Sequence, residues 1–488
     1  MMTFEQFQRY AKEYTAIPVY KKVLSDLLTP VSAYLRLSKK STHSVLLESV
    51  EEGKQLARYS YIGRDPQVIL QHTAGMTTVS KDGNTTMVNE RYLDVLREYA
   101  GEYQVPKISE IPVFAGGWIG YLGYETITWI ENIPTYSPQE DDVPDAVFML
   151  FETLIAFDHV KRETIISHNV KIDRERDLRE QYDEAIAVID EILEDLHTEI
   201  EYEAPVTSRN GHVESNMSQE QFESAVEQAK EYVRAGDVYQ LVLSQRFQRE
   251  TGANPFTIYR ALRSVNPSPF MFYFNIDDFN IIGASPEVLV KVEDNEMEVR
   301  PIAGTRPRGD TVEEDDNYAT ELLSDEKERA EHLMLVDLAR NDVGMVCEYG
   351  SVDVQQYMEV ERYSHVMHIV SDVRGQIRDE YDAYDALMAG FPAGTVTGAP
   401  KIRAMEIIRE LEPTRRGIYS GAVGYIDFHD NVTTCITIRT LLMKDQTVYF
   451  QSGAGIVYDS VPEKEFTETE NKAMAIMRAI DFAEQGLQ

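Results

Sequence analysis

Glu465, Glu468 and Lys472 stand at helical spacing in the stretch GAGIVYDSVPEKEFTETENK, residues 453–472. Two carboxylates and an ammonium on one stripe of a helix, beside a glycine-rich turn, suit a divalent ion and an anionic substrate held together. The stretch reads as a glycine turn, a short apolar strand and then a helix. Ser460 and Glu463 have the spacing of a capping box, and Pro462 in the first turn costs no helix hydrogen bond. Phe466, Ala473, Met477 and Ile480 share an apolar stripe, roughly a third of a turn from the charged one. A plain solvated face has the same pattern, so the other chemistry-bearing stretches must decide.

Glu331 lies on a predicted helix that is apolar nearly all round from Leu333 to Leu338, where a carboxylate needs a cation. It is a suitable partner for Glu465 or Glu468 around a metal, and oxygen ligands without a Cys or His cluster favour Mg²⁺. His332 and His368 are either metal ligands or hydrogen-bonded structural residues. Glu287, just after a strand in Gly283-Ala-Ser-Pro-Glu287, is placed to become a proton donor if its pKa is raised. The loop 390–401, GFPAGTVTGAPK, lacks the spacing of a nucleotide P-loop. It enters a helix, so its backbone N–H groups, with Thr395 and Thr397, suit a carboxylate or a phosphate. Residues 300–309, RPIAGTRPRG, read as a rigid cationic loop, and Arg439 on an apolar strand calls for an anionic partner. Together these parts suggest a metal-assisted enzyme for a small polyanion.

The elements that must position them alternate runs of strands with clusters of helices, which is an α+β pattern. Strand candidates in the first part are Val31–Leu37, Ser44–Leu47 and Tyr59–Ile62, with a hairpin at Asp82-Gly83. The four glycines of 112–123 suggest strands in close backbone approach, and 174–198 reads as a long amphipathic helix. A polar stretch near 200–217 breaks both periodicities and divides a region 1–205 from a region 214–488. Ser218 caps the next helix, Val238–Phe247 alternates as a strand, and an antiparallel sheet follows.

A chain of 488 residues with 43 % hydrophobic and 27 % charged residues is ordinary globular material, too long for one small core. Its net charge of −36 argues against nucleic acid or an anionic membrane as partner. The two cysteines, Cys347 and Cys435, give no disulfide framework and no zinc spacing, which fits a reducing cytoplasm. Neither a secretory signal nor an apolar run of the ~20 residues needed for a membrane span is visible.

Five ordered motifs then carry a resemblance: PIAGTRPRG (301–309), AEHLMLVDLARND (330–342), GTVTGAPK (394–401), IYSGAVGY (418–425) and GAGIVYDSVPEKE (453–465). Over about 218–482 the chain resembles the chorismate-utilising enzymes. LLES at 46–49 and NPSPFMFYF at 266–274 narrow the resemblance to the anthranilate synthase component I branch. The resemblance implies a two-layer antiparallel β-sheet sandwich flanked by helices, with the N-terminal part a smaller α/β region packed on it. It implies Mg²⁺, chorismate, and conversion with ammonia to anthranilate and pyruvate by way of aminodeoxyisochorismate. Glu331 and Glu468 then look like Mg²⁺ ligands, with Glu465 a direct or water-mediated contributor. Glu287 looks like the general acid for the departing C4 hydroxyl, and His368 like the residue that assists pyruvate elimination. Thr395, Tyr419, Arg439, Gly453, Ala454, Gly455 and Lys472 look like contacts to chorismate.

Two positions separate relatives. Gln240 stands where water-adding members carry a lysine base, and Ala303 where many aminodeoxychorismate synthases carry a lysine that adds to the ring. The alternative activity, that of an aminodeoxychorismate synthase component I, stays open because some of that group also lack the lysine. Glu48, Ser49, Asn266, Pro267, Phe270 and Met271 resemble an inhibitory tryptophan pocket. Glu51, Glu52 and Lys54 depart from a stretch that is often glycine-rich there. No glutaminase segment is present. The resemblance therefore implies a separate glutamine amidotransferase subunit and a hetero-oligomer.

Overall fold

The computed structural model describes residues 1–49, 58–134, 136, 143–200, 211–363 and 366–487. Glu51, Glu52 and Lys54, and most of the polar stretch near 200–217, lie outside the described residues. Among the described residues, two antiparallel sheets of twelve strands each face one another, with helices on both outer faces.

Period-two alternation builds these layers directly. In the strand Phe270–Ile276, Phe272 and Phe274 point into the core between the sheets, while Met271 and Tyr273 point outward under helices. In the facing sheet, Ile119 and Tyr121 point inward and Trp118 and Leu122 outward. Each fully buried side chain of this size stabilises the fold by about 1.5–3 kcal/mol. Gly120 permits the close approach expected of 112–123, since a Cβ there would lie 2.0 Å from the Val147 carbonyl oxygen.

The described residues of the region 1–205 extend both sheets and form no layer of their own. One sheet runs Ala16–Leu24, Glu163–Lys171, Thr153–Asp158, Tyr59–Arg64 and His43–Glu48, then continues through Phe270–Ile276, Phe279–Ser285, Thr440–Lys444, Thr447–Ile456 and Gln240–Glu250. In the other, Gly117–Leu122 pairs with Ala422–Asp427. The chain passes between sheets at Glu152, which separates Ala146–Phe151 from Thr153–Asp158. The sandwich and its helices therefore agree with expectation, but the smaller packed region is spliced into the sandwich strand by strand.

Several local readings change. Val31–Leu37 lies in a helix, Pro30–Leu37, because Thr29 and Ser32 make a reciprocal capping box and Pro30 opens the first turn. Residues Ile302–Pro307 of the cationic loop form a strand against Val366–Gln376. The closing helix is Pro462–Glu484, and its cap residue Val461 offers no side-chain hydrogen bond. Ser460 does not box Glu463; its hydroxyl accepts the Val457 N–H at 3.1 Å. The hairpin at Asp82-Gly83 and the Ser218 cap stand as read.

Candidate active site

The strand Thr447–Ile456, the closing helix and the turns at 285–287, 394–396, 418–420 and 437–439 enclose a cavity of about 630 Å³. Glu287, Glu331, Thr395, Tyr419, Arg439, Gly453, Gly455, Glu465, Glu468 and Lys472 all line it. Ala454 does not. It alternates to the far face of the strand, into a core with Leu241 and Leu243, while Gly453 and Gly455 face the cavity.

Glu287 follows the strand Phe279–Ser285, and burial raises its pKa. Thr395 donates its hydroxyl to Glu287 Oε2 at 3.0 Å, which leaves Oε1 for a proton. At least two amides of the loop carrying Thr395 are not free to hold an anion. The N–H groups of Val396 and Thr397 are spent on Ala393 and Gly394, and the Thr397 hydroxyl donates to the Ala393 carbonyl. That loop positions Glu287.

Arg439 is in a left-handed turn, φ +49°, between Val432–Ile436 and Thr440–Lys444, not on a strand. Its guanidinium is open to the cavity but surrounded by protein at longer range. That burial lowers its pKa, and Glu287 is the opposing charge. Lys472 donates to the Gly453 carbonyl at 2.9 Å and pairs with Glu468 at 2.8 Å.

Glu331 lies on the helix Glu326–Val346 with only one face buried; Leu333 is exposed, so this helix is not surrounded as its sequence suggested. Burial raises the pKa of Glu331, then the charges of Glu328 and Glu468, while Gln240 hydrogen-bonds it in opposition. Glu465 is raised by burial and by Glu468, against a hydrogen bond from Ser460. Hard carboxylate oxygens that repel one another across a cavity wall fit a divalent cation such as Mg²⁺. Among the described residues, no three acidic, His or Cys side chains already converge on one point.

His368 lies on Val366–Gln376, beside the cavity lining and not in it. Its Nδ1–H donates to the Gly304 carbonyl at 2.9 Å, and burial lowers its pKa, so the ring is neutral with Nε2 unprotonated. His332 is fully buried, Nε2 to Ser371 at 2.6 Å, a structural residue.

The second predicted group gathers where His43–Glu48 pairs with Phe270–Ile276, Glu48 opposite Met271. Glu48 is buried and accepts Tyr259 Oη at 2.6 Å and Arg263 Nε at 2.9 Å. Among the described residues, Ser49 Oγ and Asn266 Nδ2 are buried without a partner. Asn266 Oδ1 faces Arg439 Nη1 at 3.5 Å and so joins this group to the cavity. Pro267 follows Asn266 into the strand that Phe270 opens.

Gln240, Lys327, Gln451 and Lys464 also line the cavity as side chains the reading did not assign to it. Gln451 was legible, since period two puts it on one face with Gly453 and Gly455. The lysines come from turns of surface helix that carry no pattern.

The profile of the chorismate binding enzyme family matches residues 42–478. The chain is 44 % identical to the anthranilate synthase component 1 of Acetivibrio thermocellus, over 99 % of this chain and 98 % of that one. The crystal structure of anthranilate synthase component I from Streptococcus pneumoniae superposes with a TM-score of 0.76 at 38 % identity, covering 93 % of this chain and 99 % of that one. The menaquinone-specific isochorismate synthase of Escherichia coli shares the fold, TM-score 0.71, at 17 % identity over 98 % of both chains. From the cavity lining to the end-to-end identity, these findings agree: the chain belongs to the chorismate binding enzymes, in the group of anthranilate synthase component 1.

Proposed function

We propose that the chain is a carbon–oxygen lyase that converts chorismate and ammonia to anthranilate and pyruvate, the entry to tryptophan biosynthesis. The observation that carries this reading is one cavity that holds a partly buried, hydroxyl-tethered carboxyl (Glu287), the cations Arg439 and Lys472, and the carboxylates Glu331 and Glu465, each repelled by Glu468. Arg439 and Lys472 are the cations that bind the substrate carboxylates, with Tyr419 and the bare backbone of Gly453 and Gly455 shaping the wall. Ammonia forms the bond to C2, the C4–O bond breaks, and Glu287 gives the leaving oxygen its proton, so water departs. The extra proton on nitrogen returns to solvent or to the ionised Glu287. In the second step C2–H is lost as a proton, the C3–O bond breaks to expel enolpyruvate, which takes up a proton on its methylene carbon to become pyruvate, and the ring becomes aromatic. His368, with Nε2 unprotonated, assists that proton transfer beside Arg439. Glu331 and Glu468, with Glu465, would hold Mg²⁺, which supplies Lewis-acid stabilisation of the ring carboxylate.

L-Tryptophan is proposed as the inhibitor at Glu48, Ser49, Asn266, Pro267, Phe270 and Met271, supported by the Ser49 and Asn266 groups that have no partner among the described residues. Glutamine supplies the ammonia through a separate amidotransferase subunit in a hetero-oligomer. A cytoplasmic location is supported by two buried free thiols, and among the described residues no helix is long and apolar enough to cross a membrane. Incubation with chorismate, ammonium and Mg²⁺, with and without tryptophan, tests the reading through anthranilate fluorescence and chromatography. Formation of 4-amino-4-deoxychorismate alone would overturn it.

A further inference from the structure

A buried chain of hydrogen bonds behind the cavity fixes which way one lining side chain turns its polar atoms. Arg416, Glu412, Ser244 and Gln451 are all more than nine-tenths buried. Arg416 donates through Nε to Glu412 Oε2 at 2.9 Å and through Nη2 to Oε1 at 2.6 Å. Ser244 Oγ lies 2.6 Å from the same Oε1, and a carboxylate clasped by a guanidinium has no proton to give. Ser244 is therefore the donor. With its only proton spent, its oxygen accepts from Gln451 Nε2 at 2.7 Å. The amide of Gln451 is thus held with its nitrogen toward Ser244 and its carbonyl oxygen turned away. That oxygen is buried, and among the described residues no group donates to it.

Gln451 shares the cavity-facing side of its strand with Gly453 and Gly455. With Tyr419 it also lines a smaller recess of about 160 Å³, whose wall includes Arg246, Asp145 and Arg415. Gln451 is thus part of the walls of both spaces, and it carries there a buried acceptor that no described group uses.

We propose that Gln451 Oε1 binds the attacking ammonia, accepting one N–H and leaving the nitrogen lone pair free for the ring. This deepens the reading of the chain as an ammonia-using chorismate enzyme and rests on it. The chemistry suits a neutral acceptor. A carboxylate at this place would favour ammonium, which has no lone pair to form the C2–N bond.

The experiment is steady-state kinetics of Gln451→Met and Ser244→Ala with ammonium and chorismate varied separately, alongside thermal unfolding. Gln451→Met keeps the length and removes the acceptor. It is expected to raise KM for ammonium roughly tenfold with KM for chorismate within about twofold. Ser244→Ala frees the amide to rotate and is expected to raise KM for ammonium by a smaller factor; it carries the test if Gln451→Met does not fold. An unchanged KM for ammonium, or an equal rise in KM for chorismate, overturns the proposal. A wild-type chain that forms no anthranilate defeats the reading beneath it instead.

Discussion

Glu287 is one carboxyl among many in this acidic chain, and burial together with the Thr395 tether sets it apart. A raised pKa keeps an acid protonated to higher pH, so its proton-donating form is present below that pKa and lost as pH rises through it. At fixed free-ammonia concentration, kcat should therefore fall on the alkaline side. Glu287→Gln should lose about 10²- to 10⁴-fold in kcat, lack that limb and keep KM for chorismate near wild type. Glu468→Ala should require at least about tenfold more Mg²⁺ for half-maximal activity, read from a metal titration; an unchanged requirement removes Glu468 from the metal set. Both side chains were legible, because a carboxylate after a strand and an acidic stripe on a helix are local patterns. The free acceptor of Gln451 was not. It follows from proton bookkeeping through Ser244 and Glu412, residues far apart in sequence.

At the scale of elements, the strand Thr447–Ile456 positions much of the site because it offers backbone where side chains would intrude. A Cβ on Gly453 would lie 2.9 Å from both the Leu243 carbonyl oxygen and Tyr419 Oη. Gly453→Ala should therefore weaken chorismate binding, seen as a raised KM, and lower the melting temperature as well, because the Leu243 carbonyl is backbone and must shift. Strands with strict alternation were read correctly, and so was the amphipathic closing helix. The helix Pro30–Leu37 was missed because Val31, Ala33, Leu35 and Leu37 alternate as a strand would, and the Thr29–Ser32 box decides it. The strand Ile302–Pro307 was missed because its two flanking prolines and Gly304 suggest a loop, while pairing with Val366–Gln376 supplies the missing order. The Asn266–Arg439 contact joins two elements that no local pattern connects.

For the whole molecule, composition and motif order fixed the class, but not the splice of the first part into both sheets. Strand partners separated by more than 200 residues leave no periodicity to read. Glu48 pairs with Met271, and Leu122 with Ala422. Fragments cut between residues 200 and 211 should each be insoluble or unfolded alone, and co-expression should restore soluble, active protein; a folded, active 211–488 fragment would contradict this account. The same pairing bears on how the protein is made. At about 5–20 residues per second, synthesis takes roughly 25–100 s. Through the first half of that time, His43–Glu48 and Gly117–Leu122 have emerged with one neighbour each, Tyr59–Arg64 and Ala146–Phe151, while the partner on the other side does not yet exist. Exposed edges of this kind invite association between chains. Until Pro462–Glu484 leaves the ribosome the cavity has no wall on that side, so a stalled chain is a burden on chaperones and never a slow enzyme.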